Sequence, residues 1–504
     1  MRQFFETLWS HPPAHVVLRG SAGAVTCGEL RDATERAVEN FRAIKPRVIG
    51  LALDNSPAWA TLDLAAMTAE IPLVPLPFFF SPGQLAHAIR DAGINCILTD
   101  QPQNFLQLFA DMGVTVSACQ GYTILGQPMM EFHLADVAPA ELPTGTLKIT
   151  YTSGTTGNPK GVCLGWEAMS RVAHSLREAT GANADDRHVS LMPLSTLLEN
   201  IAGLYVPLLA GACPVLLSLA EVGLRGASGA DVKKMAATLN ACDATTTILT
   251  PELLRGLIAV THAGGALPKN LRFVAVGGAA VSAGLLAQAA QLGIPAYEGY
   301  GLSECASVVS LNTASENLRG SVGKPLPHAR IAFAEDGEIL VAGANMLGYT
   351  GDATRVSRDD YWPTGDLGFL DDDGFLHIIG RKKNVFITSF GRNVAPEWVE
   401  RELAQHPAIM QVAVFGEARP WNAAVIAPVS ATLESVAAIN DAIRDVNRHL
   451  PDYARIRRWI PARAPFQPAN EQLTANGRLR RDAIFAAYRA ELDNLYEEET
   501  HAVL

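Results

Sequence analysis

Short apolar runs rich in β-branched residues alternate with longer amphipathic segments through the first three-quarters of the chain. This pattern predicts strands at residues 47–52, 72–77 and 95–99, separated by helices at 58–69 and 84–92. The same pattern returns later and predicts strands at 189–192, 246–249, 273–276 and 296–297. Strands that alternate with helices favour parallel βαβ units with helices on both faces of the sheet. We therefore predict a doubly wound α/β fold.

Beyond about residue 320 the pattern changes to short strands with tight turns. The pair Asp373-Gly374 lies between apolar stretches at 368–370 and 375–379, which is a strong signal for a β-hairpin. We expect a distorted β subdomain that completes a large domain covering residues 1–380.

The last quarter of the chain has a compact α+β pattern. Pro396 suits the first turn of a helix that runs to residue 404. Strands are expected near 410–415 and 423–427, and helices at 433–449 and after Arg480. We predict a small, mobile domain over residues 384–504, joined to the large one by a hinge at 381–383.

Composition and charge narrow the possible functions. A chain of 504 residues is too long for one compact core. Its 48% apolar and 18% charged residues are typical of a globular enzyme and not of a disordered protein. The formal net charge of −11 argues against a broad surface for nucleic acid.

Residues 201–220 carry no charge and are long enough to suggest a membrane span. However, Gly203, Pro207, Gly211 and Pro214 interrupt them, which fits a buried helix, a turn and a buried strand better. The first residues lack the apolar core of a signal peptide. The seven cysteines are scattered singly, as in reduced cytoplasmic proteins. We expect a cytoplasmic protein without a transmembrane segment.

The strongest local motif is YTSGTTGNPKG at residues 151–161, between two strand-like stretches. Its glycines allow successive N–H groups to converge on an anion, the hydroxyls add donors, and Lys160 adds a positive charge. It does not align with a Walker A loop. The alternative interpretation is a flexible Ser/Gly linker, which would rarely lie between two buried strands.

Further motifs follow in order. They are Gly277-Gly278-Ala279, EGYGLSE at 298–304, Gly337-Glu338-Ile339 with Gly348-Tyr349, Thr364-Gly365-Asp366, GRKK at 380–383, and Gly391 with PEWVE at 396–400. With the phosphate loop, they resemble the adenylate-forming superfamily of acyl- and aryl-CoA synthetases, adenylation domains and luciferases. The resemblance extends from about residue 20 to 485 and is closest in look to fatty acyl-CoA ligases.

This resemblance implies that the chain uses ATP and Mg²⁺ to convert a carboxylic acid to an acyl-AMP, with release of pyrophosphate, and then transfers the acyl group to coenzyme A. Arg478, Glu304 and Lys160 would be catalytic, Glu304 would hold the metal, and Lys383 would be the hinge residue. The nucleotide-binding residues would be Thr152, Ser153, Gly154, Thr155, Thr156, Gly157, Lys160, Gly277, Gly278, Ala279, Glu298, Gly299, Tyr300, Gly301, Leu302, Ser303, Asp366, Ile378, Arg381 and Gly391.

The chemistry of three of these residues supports the assignment. A carboxylate such as Glu304 suits the hard cation Mg²⁺. Asp366 can accept from both ribose hydroxyls, and Tyr300 can stack on adenine. The alternatives are a solvated glutamate at the start of a helix, a turn aspartate and a core tyrosine.

The chain departs from the family at two places. Arg478 stands where relatives usually carry a lysine that bridges the carboxylate and the α-phosphate, and its planar fork is not equivalent to a compact ammonium. Ser195 and Thr196 replace an aromatic or histidine pair. The expected acyl pocket has no basic residue, which favours a medium- or long-chain fatty acid; its residues are Ser195, Thr196, Glu199, Gly203, Thr250 and Ala306.

Three alternatives remain open. The acceptor could be a carrier protein, as in acyl-AMP ligases. Because of Arg478, the chain could also be a catalytically weak nucleotide-binding homologue. Luciferase-type oxygenation is a rare use of the same motifs.

Overall fold

The large domain is built on two sheets. The computed structural model describes residues 1–152, 159–225, 229–279, 281–352, 355–430, 432–474 and 477–500. The eight-stranded sheet has the order Gly348–Tyr349, Lys160–Leu164, Lys148–Thr152, Leu73–Pro75, Ile49–Ala52, Cys96–Thr99, Gln127–Leu134 and Val116–Ile124. The nine-stranded sheet has the order Lys324–Pro325, Ser307–Leu311, Ala296–Leu302, Phe273–Val276, Thr246–Leu249, His188–Val189, Val215–Leu216, Val16–Gly20 and Gly23–Thr26.

The central strands of both sheets run parallel, and helices cover their faces. These helices are Arg2–Trp9, Cys27–Ile44, Pro57–Thr68, Pro82–Asp91, Pro102–Met112, Trp166–Thr180, Val206–Ala210, Val232–Ala241, Pro251–His262 and Ala283–Gln291. Pro57–Thr68 is buried along most of its length and packs with residues of both sheets, including Leu18 and Ile49. The doubly wound prediction is confirmed.

A four-stranded antiparallel sheet completes the large domain, with strands Arg330–Phe333, Glu338–Ala342, Trp362–Leu370 and Leu376–Arg381. The predicted hairpin is confirmed, since Leu370 pairs with Leu376 across the turn that contains Asp373 and Gly374. A short hairpin, Leu224–Arg225 with Gly229–Ala230, lies apart from the sheets. The large domain therefore combines two α/β sheets with a β subdomain.

A 3₁₀ helix, Lys382–Asn384, leads into the small domain at the predicted hinge. The small domain has a β-hairpin, a three-stranded sheet and three helices. Its strands are Phe386–Ile387, Asn393–Val394, Ile409–Phe415, Asn422–Pro428 and Ile456–Pro461, and its helices are Pro396–Leu403, Leu433–His449 and Arg481–Thr500. The remaining 3₁₀ helices are Ser303–Cys305, Asp452–Ala454 and Pro468–Asn470. The predicted α+β composition is confirmed; its mobility stays a prediction.

The uncharged segment 201–220 is folded inside the large domain. A π-helix, Glu199–Tyr205, continues into Val206–Ala210, Gly211 takes a left-handed conformation, and the strand Val215–Leu216 follows. This order of helix, turn and strand agrees with the prediction. No helix in the described part of the chain combines the length and apolarity needed to cross a membrane.

A buried polar network attaches this segment to the strand that precedes the phosphate loop. The ammonium of Lys148 is paired with Asp63 and donates to Asn200 Oδ1 at 2.5 Å and to Tyr205 Oη at 2.9 Å. Tyr205 donates in turn to Asp63 at 2.6 Å. Since a buried charge is stable only with its partners, the network fixes the position of the strand Lys148–Thr152.

Candidate active site

Asp366 lies at the centre of the expected ribose site. The strands Trp362–Leu370 and Leu376–Arg381 place it opposite Arg381, whose Nε lies 2.8 Å from Oδ1. The Tyr300 hydroxyl donates to Oδ2 at 2.7 Å. Burial raises the pKa of Asp366, and the charge of Arg381 opposes the rise. Each carboxylate oxygen has one protein donor and keeps capacity for a second one, as a ribose hydroxyl requires.

Arg478 reaches this site from the small domain. Its Nη2 lies 3.5 Å from the carbonyl oxygen of Gly278. Loss of solvent lowers the pKa of Arg478, the Arg381 charge lowers it further, and Asp366 and Glu304 oppose both effects. An arginine side chain is protonated at neutral pH. The structure therefore places the cation that the sequence predicts to be catalytic within electrostatic range of Asp366 and Glu304.

The glycine turn expected to contact adenine directly follows the strand Phe273–Val276. The amide of Gly277 donates to Leu249 O at 3.2 Å, and Gly278 has φ +82°, a conformation that favours glycine. Ala279 is exposed. The backbone of this turn is therefore accessible at the proposed nucleotide site.

The segment 298–302 forms the end of the strand Ala296–Leu302. Glu298 is buried, and its carboxylate accepts from the amide of Val281 at 3.2 Å. Burial raises the pKa of Glu298 to about 8. Its carboxyl group therefore supports the glycine turn from inside the protein, while its predicted contact with nucleotide stays a prediction, as do those of Gly299, Gly301, Leu302 and Ser303.

Glu304 lies in the 3₁₀ turn Ser303–Cys305. The Tyr349 hydroxyl donates to its Oε1 at 3.1 Å, and its carbonyl accepts from Met346 N at 2.7 Å. Ala306 and Ser307 follow with φ of +53° and +95°, which is costly for residues with a side chain. The Glu304 carboxylate is therefore held in a turn with a strained backbone.

Lys160 begins the strand after the phosphate loop and is exposed. Its Nζ lies 5.0 Å from the centroid of the Tyr349 ring. Thr152 pairs with Lys160 across the base of the loop. The predicted phosphate ligands at 153–158 lie outside the described residues, so only the two ends of the loop are placed.

The predicted acyl-pocket residues have different environments. Ser195 is partly exposed, the hydroxyl of Thr196 donates to Pro193 O at 2.7 Å, and Ala306 is buried. Thr250 caps the helix Pro251–His262. That these residues line one pocket stays a prediction.

Glu199, also assigned to the acyl pocket, is fully buried. Its Oε1 lies 3.0 Å from Nε2 of His188, whose Nδ1 lies 2.9 Å from the Thr246 hydroxyl. A Cβ at Gly203 would come within 2.3 Å of Glu199 Oε1, so this packing requires glycine. Glu199 and Gly203 therefore form part of a closed polar cluster, and sequence reasoning did not identify His188 as the partner.

Three further predicted residues lie around the hinge. The carbonyl of Ile378 accepts from Arg401 of the small domain at 3.4 Å. Lys383 lies in the 3₁₀ helix Lys382–Asn384, where loss of solvent and then Arg381 lower its pKa. Gly391 has φ +71° in the loop of the first hairpin of the small domain. Their functional roles stay predictions.

Sequence reasoning did not identify two contacts of the site. The first is the hydrogen bond from Tyr349 to Glu304: Tyr349 belongs to a Gly-Tyr motif, but nothing in the sequence indicates where its hydroxyl points. Lys382 contacts Glu338 Oε2 at 2.8 Å, and Glu338 Oε1 accepts from Gly365 N at 2.9 Å. This pair supports the turn before Asp366 from the β subdomain.

The fold and site are typical of nucleotide-dependent ligases. They combine two α/β sheets and a buried carboxylate with a lysine after a glycine-rich motif and a cation from a second domain. The chain belongs to the AMP-binding enzyme family, which its residues 5–350 match. Residues 383–500 match the C-terminal domain of AMP-binding enzymes. The protein is an AMP-forming acid–thiol ligase, a class that uses ATP, Mg²⁺ and coenzyme A.

Comparisons with individual proteins agree with this family assignment. The long-chain-fatty-acid–CoA ligase FadD15 of Mycobacterium bovis is 27% identical over an alignment of 525 positions, which covers 88% of this chain and 86% of the relative. The 2-succinylbenzoate–CoA ligase of Bacillus cytotoxicus is 32% identical over 372 residues, covering 68% and 70%. The crystal structure of the anthranilate CoA ligase AuaEII with anthranoyl-AMP has the same fold, with a TM-score of 0.79, 20% identity and 96% coverage of each chain.

Proposed function

We propose that the protein activates a medium- or long-chain fatty acid as its acyl-AMP and transfers the acyl group to coenzyme A in the cytoplasm. The observation that carries this proposal is the position of Arg478, which reaches across from the small domain to Gly278 and lies in the field of Glu304 and Asp366. Such an arrangement suits the first half-reaction, in which two anions must be brought together.

The site has suitable groups for ATP and Mg²⁺. Oε1 of Glu304 accepts from the Tyr349 hydroxyl at 3.1 Å. The Glu304 carboxylate is suited to hold Mg²⁺, and Asp366 can accept the ribose hydroxyls. When bound, Mg²⁺ supplies neutralisation of the charge on the departing pyrophosphate.

The remaining charged residues have separate roles in the first half-reaction. Arg478 orients the substrate carboxylate against the α-phosphate with its planar fork of donors. Lys160 meets the outer phosphates at the end of the loop. Arg381 holds Asp366 in place, with Nε 2.8 Å from Oδ1, and its charge opposes the rise in the pKa of Asp366 that burial causes.

The nature of the acid is argued from the expected pocket. Among Ser195, Thr196, Thr250 and Ala306 there is no cation to hold a second acidic group. Glu199 is already engaged with His188 and is closed off from solvent. An apolar acyl chain fits this composition better than a dicarboxylic or amino acid, and FadD15 is named for long-chain fatty acids.

The second half-reaction requires that Arg478 leave the site so that a thiol can approach. We infer that the small domain turns about residues 381–383 and brings the Gly391 loop to the cleft. Coenzyme A is favoured over a carrier protein because the connection at 350–364 is short, without the extra segment that acyl-AMP ligases often carry before the ribose motif.

The test is pyrophosphate release from ATP with saturated C6–C18 acids, compared with anthranilate, ferulate and 2-succinylbenzoate. Each acid is assayed with and without coenzyme A, and the thioester is identified by mass spectrometry. We expect the highest kcat/KM for an apolar chain and thioester only with coenzyme A. A preference for the aromatic acids would contradict the proposed substrate. Release without thioester, restored by a carrier protein, would contradict the proposed acceptor.

A further inference from the structure

One side chain contacts both charged groups that flank the phosphate site. The Tyr349 hydroxyl donates to Oε1 of Glu304 at 3.1 Å. The face of its ring lies under Nζ of Lys160, 5.0 Å from the ring centroid. An aromatic face attracts a cation, so a single residue interacts favourably with the carboxylate and with the ammonium.

The backbone around Tyr349 fixes its position between the two sheets. Met346 N donates to Glu304 O at 2.7 Å, which attaches one end of the segment 346–350 to the turn between two strands of the nine-stranded sheet. Thr350 N donates to Gly161 O at 2.9 Å, which attaches the other end to the strand after the phosphate loop. Tyr349 itself pairs with Val162. Its side chain therefore starts from a backbone held on both sides.

The Tyr349 hydroxyl donates to Oε1, because an ionised carboxylate can only accept a hydrogen bond. This contact orients the Glu304 carboxylate. The ring also packs against Trp362, with the centroids 6.1 Å apart, which restricts rotation of the phenol.

We propose that Tyr349 is a positioning residue for metal-dependent adenylation: its hydroxyl orients Glu304 towards Mg²⁺, and its ring holds Lys160 beside the same phosphates. The proposal rests on the roles proposed above for Glu304 and Lys160. It predicts that the two functions of the side chain are separable, because phenylalanine keeps the ring and loses the donor.

The experiment measures binding of Mn²⁺, as an EPR-visible substitute for Mg²⁺, to the protein with α,β-methylene-ATP. In Tyr349→Phe we expect Mn²⁺ binding to weaken by about tenfold, because a hydrogen bond to a charged group is lost. In pyrophosphate release, half-saturation with Mg²⁺ should rise by a similar factor, with kcat at saturating Mg²⁺ within about twofold of the parent. Tyr349→Leu should in addition raise the KM for ATP, since Lys160 loses its aromatic contact.

Two controls separate positioning from general damage. Tyr361→Phe changes an exposed tyrosine of the same region and should leave Mn²⁺ binding unchanged. In a Glu304→Gln background, Tyr349→Phe should have little further effect on Mn²⁺ binding, because the hydroxyl acts through the carboxylate.

Unchanged Mn²⁺ affinity in Tyr349→Phe would overturn the proposal, and so would a lower kcat at every Mg²⁺ concentration without a change in that affinity. An equal further loss in the Glu304→Gln background would overturn it as well. A parent that binds Mn²⁺ with the nucleotide but activates no acid would refute the proposed function alone, since the metal-binding comparison would still decide the role of Tyr349.

Discussion

Nη2 of Arg478 lies 3.5 Å from the carbonyl oxygen of Gly278, so the cation of the small domain touches the glycine turn of the large one. The two residues are far apart in the sequence and come from separately folded units. Their contact joins the two domains at the proposed nucleotide site.

Arg478→Ala should slow acyl-AMP formation and leave thiolysis of supplied acyl-AMP nearly intact. Loss of a charged contact to a transition state costs roughly 2.7–4 kcal/mol, or about a hundred- to a thousandfold in rate. Single-turnover pyrophosphate release measures the first step, and thioester formation from synthetic acyl-AMP measures the second. Arg480→Ala, two residues along, is the matched control.

Arg478→Lys tests whether the site has adapted to the guanidinium. Activity at or above that of the parent would show that the pocket still accommodates a compact ammonium. A severe loss would show that the fork geometry is needed. Adenylation by Arg478→Ala at the parent rate would refute the role of this residue without affecting the family assignment.

Asp366→Ala should weaken ATP binding, because the charge-assisted hydrogen bonds of this carboxylate are worth about 1.5–3 kcal/mol each. Calorimetric titration with Mg-ATP measures the change. Asp372→Asn, in the exposed hairpin turn that follows, is the control. If Asp366 has only a structural role, the variant will melt at a lower temperature while its ATP affinity stays the same.

Glu298 should make stability depend on pH. Its pKa of about 8 lies above the ordinary value, so between these two values the folded state binds more protons than the unfolded state. The free energy of unfolding therefore falls as the pH rises through this window. Glu298→Gln keeps an acceptor for Val281 N and should remove this contribution.

Denaturant unfolding at several pH values checks this prediction. The glutamine variant should exceed the parent by roughly 1–4 kcal/mol near pH 9, and the difference should disappear near pH 5. Glu335→Gln, at an exposed position, is the control and should follow the parent. Parallel curves for the parent and Glu298→Gln would mean that the carboxyl group is ionised throughout.

Asp63→Asn should destabilise the large domain by about 3–5 kcal/mol, because Lys148 would be left as a buried charge without its counter-ion. The double variant Asp63→Asn/Lys148→Met should recover much of this loss, since it also removes the charge. Thermal and denaturant unfolding measure both. A double variant no more stable than the single one would show that the network matters for its shape and not for its charge balance.

Much of the fold follows from hydrophobic periodicity. The strands Thr246–Leu249 and Phe273–Val276 and the helix Leu433–His449 have the predicted bounds. The two strands are short, almost fully buried apolar runs, and the helix is a long pattern with one buried face. The strand predicted at 189–192 is wrong over most of its length: it pairs only at His188–Val189 and then leaves the sheet. The apolar run continues because the chain remains buried, not because it remains extended.

The site was less predictable. Motif order predicts Asp366, Glu304 and Arg478 as site residues, but the partners of these residues are set by tertiary packing that no local pattern encodes. The π-helix Glu199–Tyr205 shows this most clearly, since its sequence is compatible with an ordinary α-helix. The extra backbone residue in its turns changes which side chains share a face, and so brings Asn200 and Tyr205 together on Lys148.

The pairing of Arg381 with Asp366 also affects how the enzyme would handle its reactive mixed anhydride. Arg381 is the last residue of its strand and directly precedes the 3₁₀ helix Lys382–Asn384, so the proposed hinge is anchored to Asp366, the proposed ribose ligand. A rotation beyond this anchor would withdraw Arg478 while Asp366 stayed in place. The adenylate would remain docked between the two chemical steps, and a compound prone to hydrolysis would not have to be released into water before the thiol arrived.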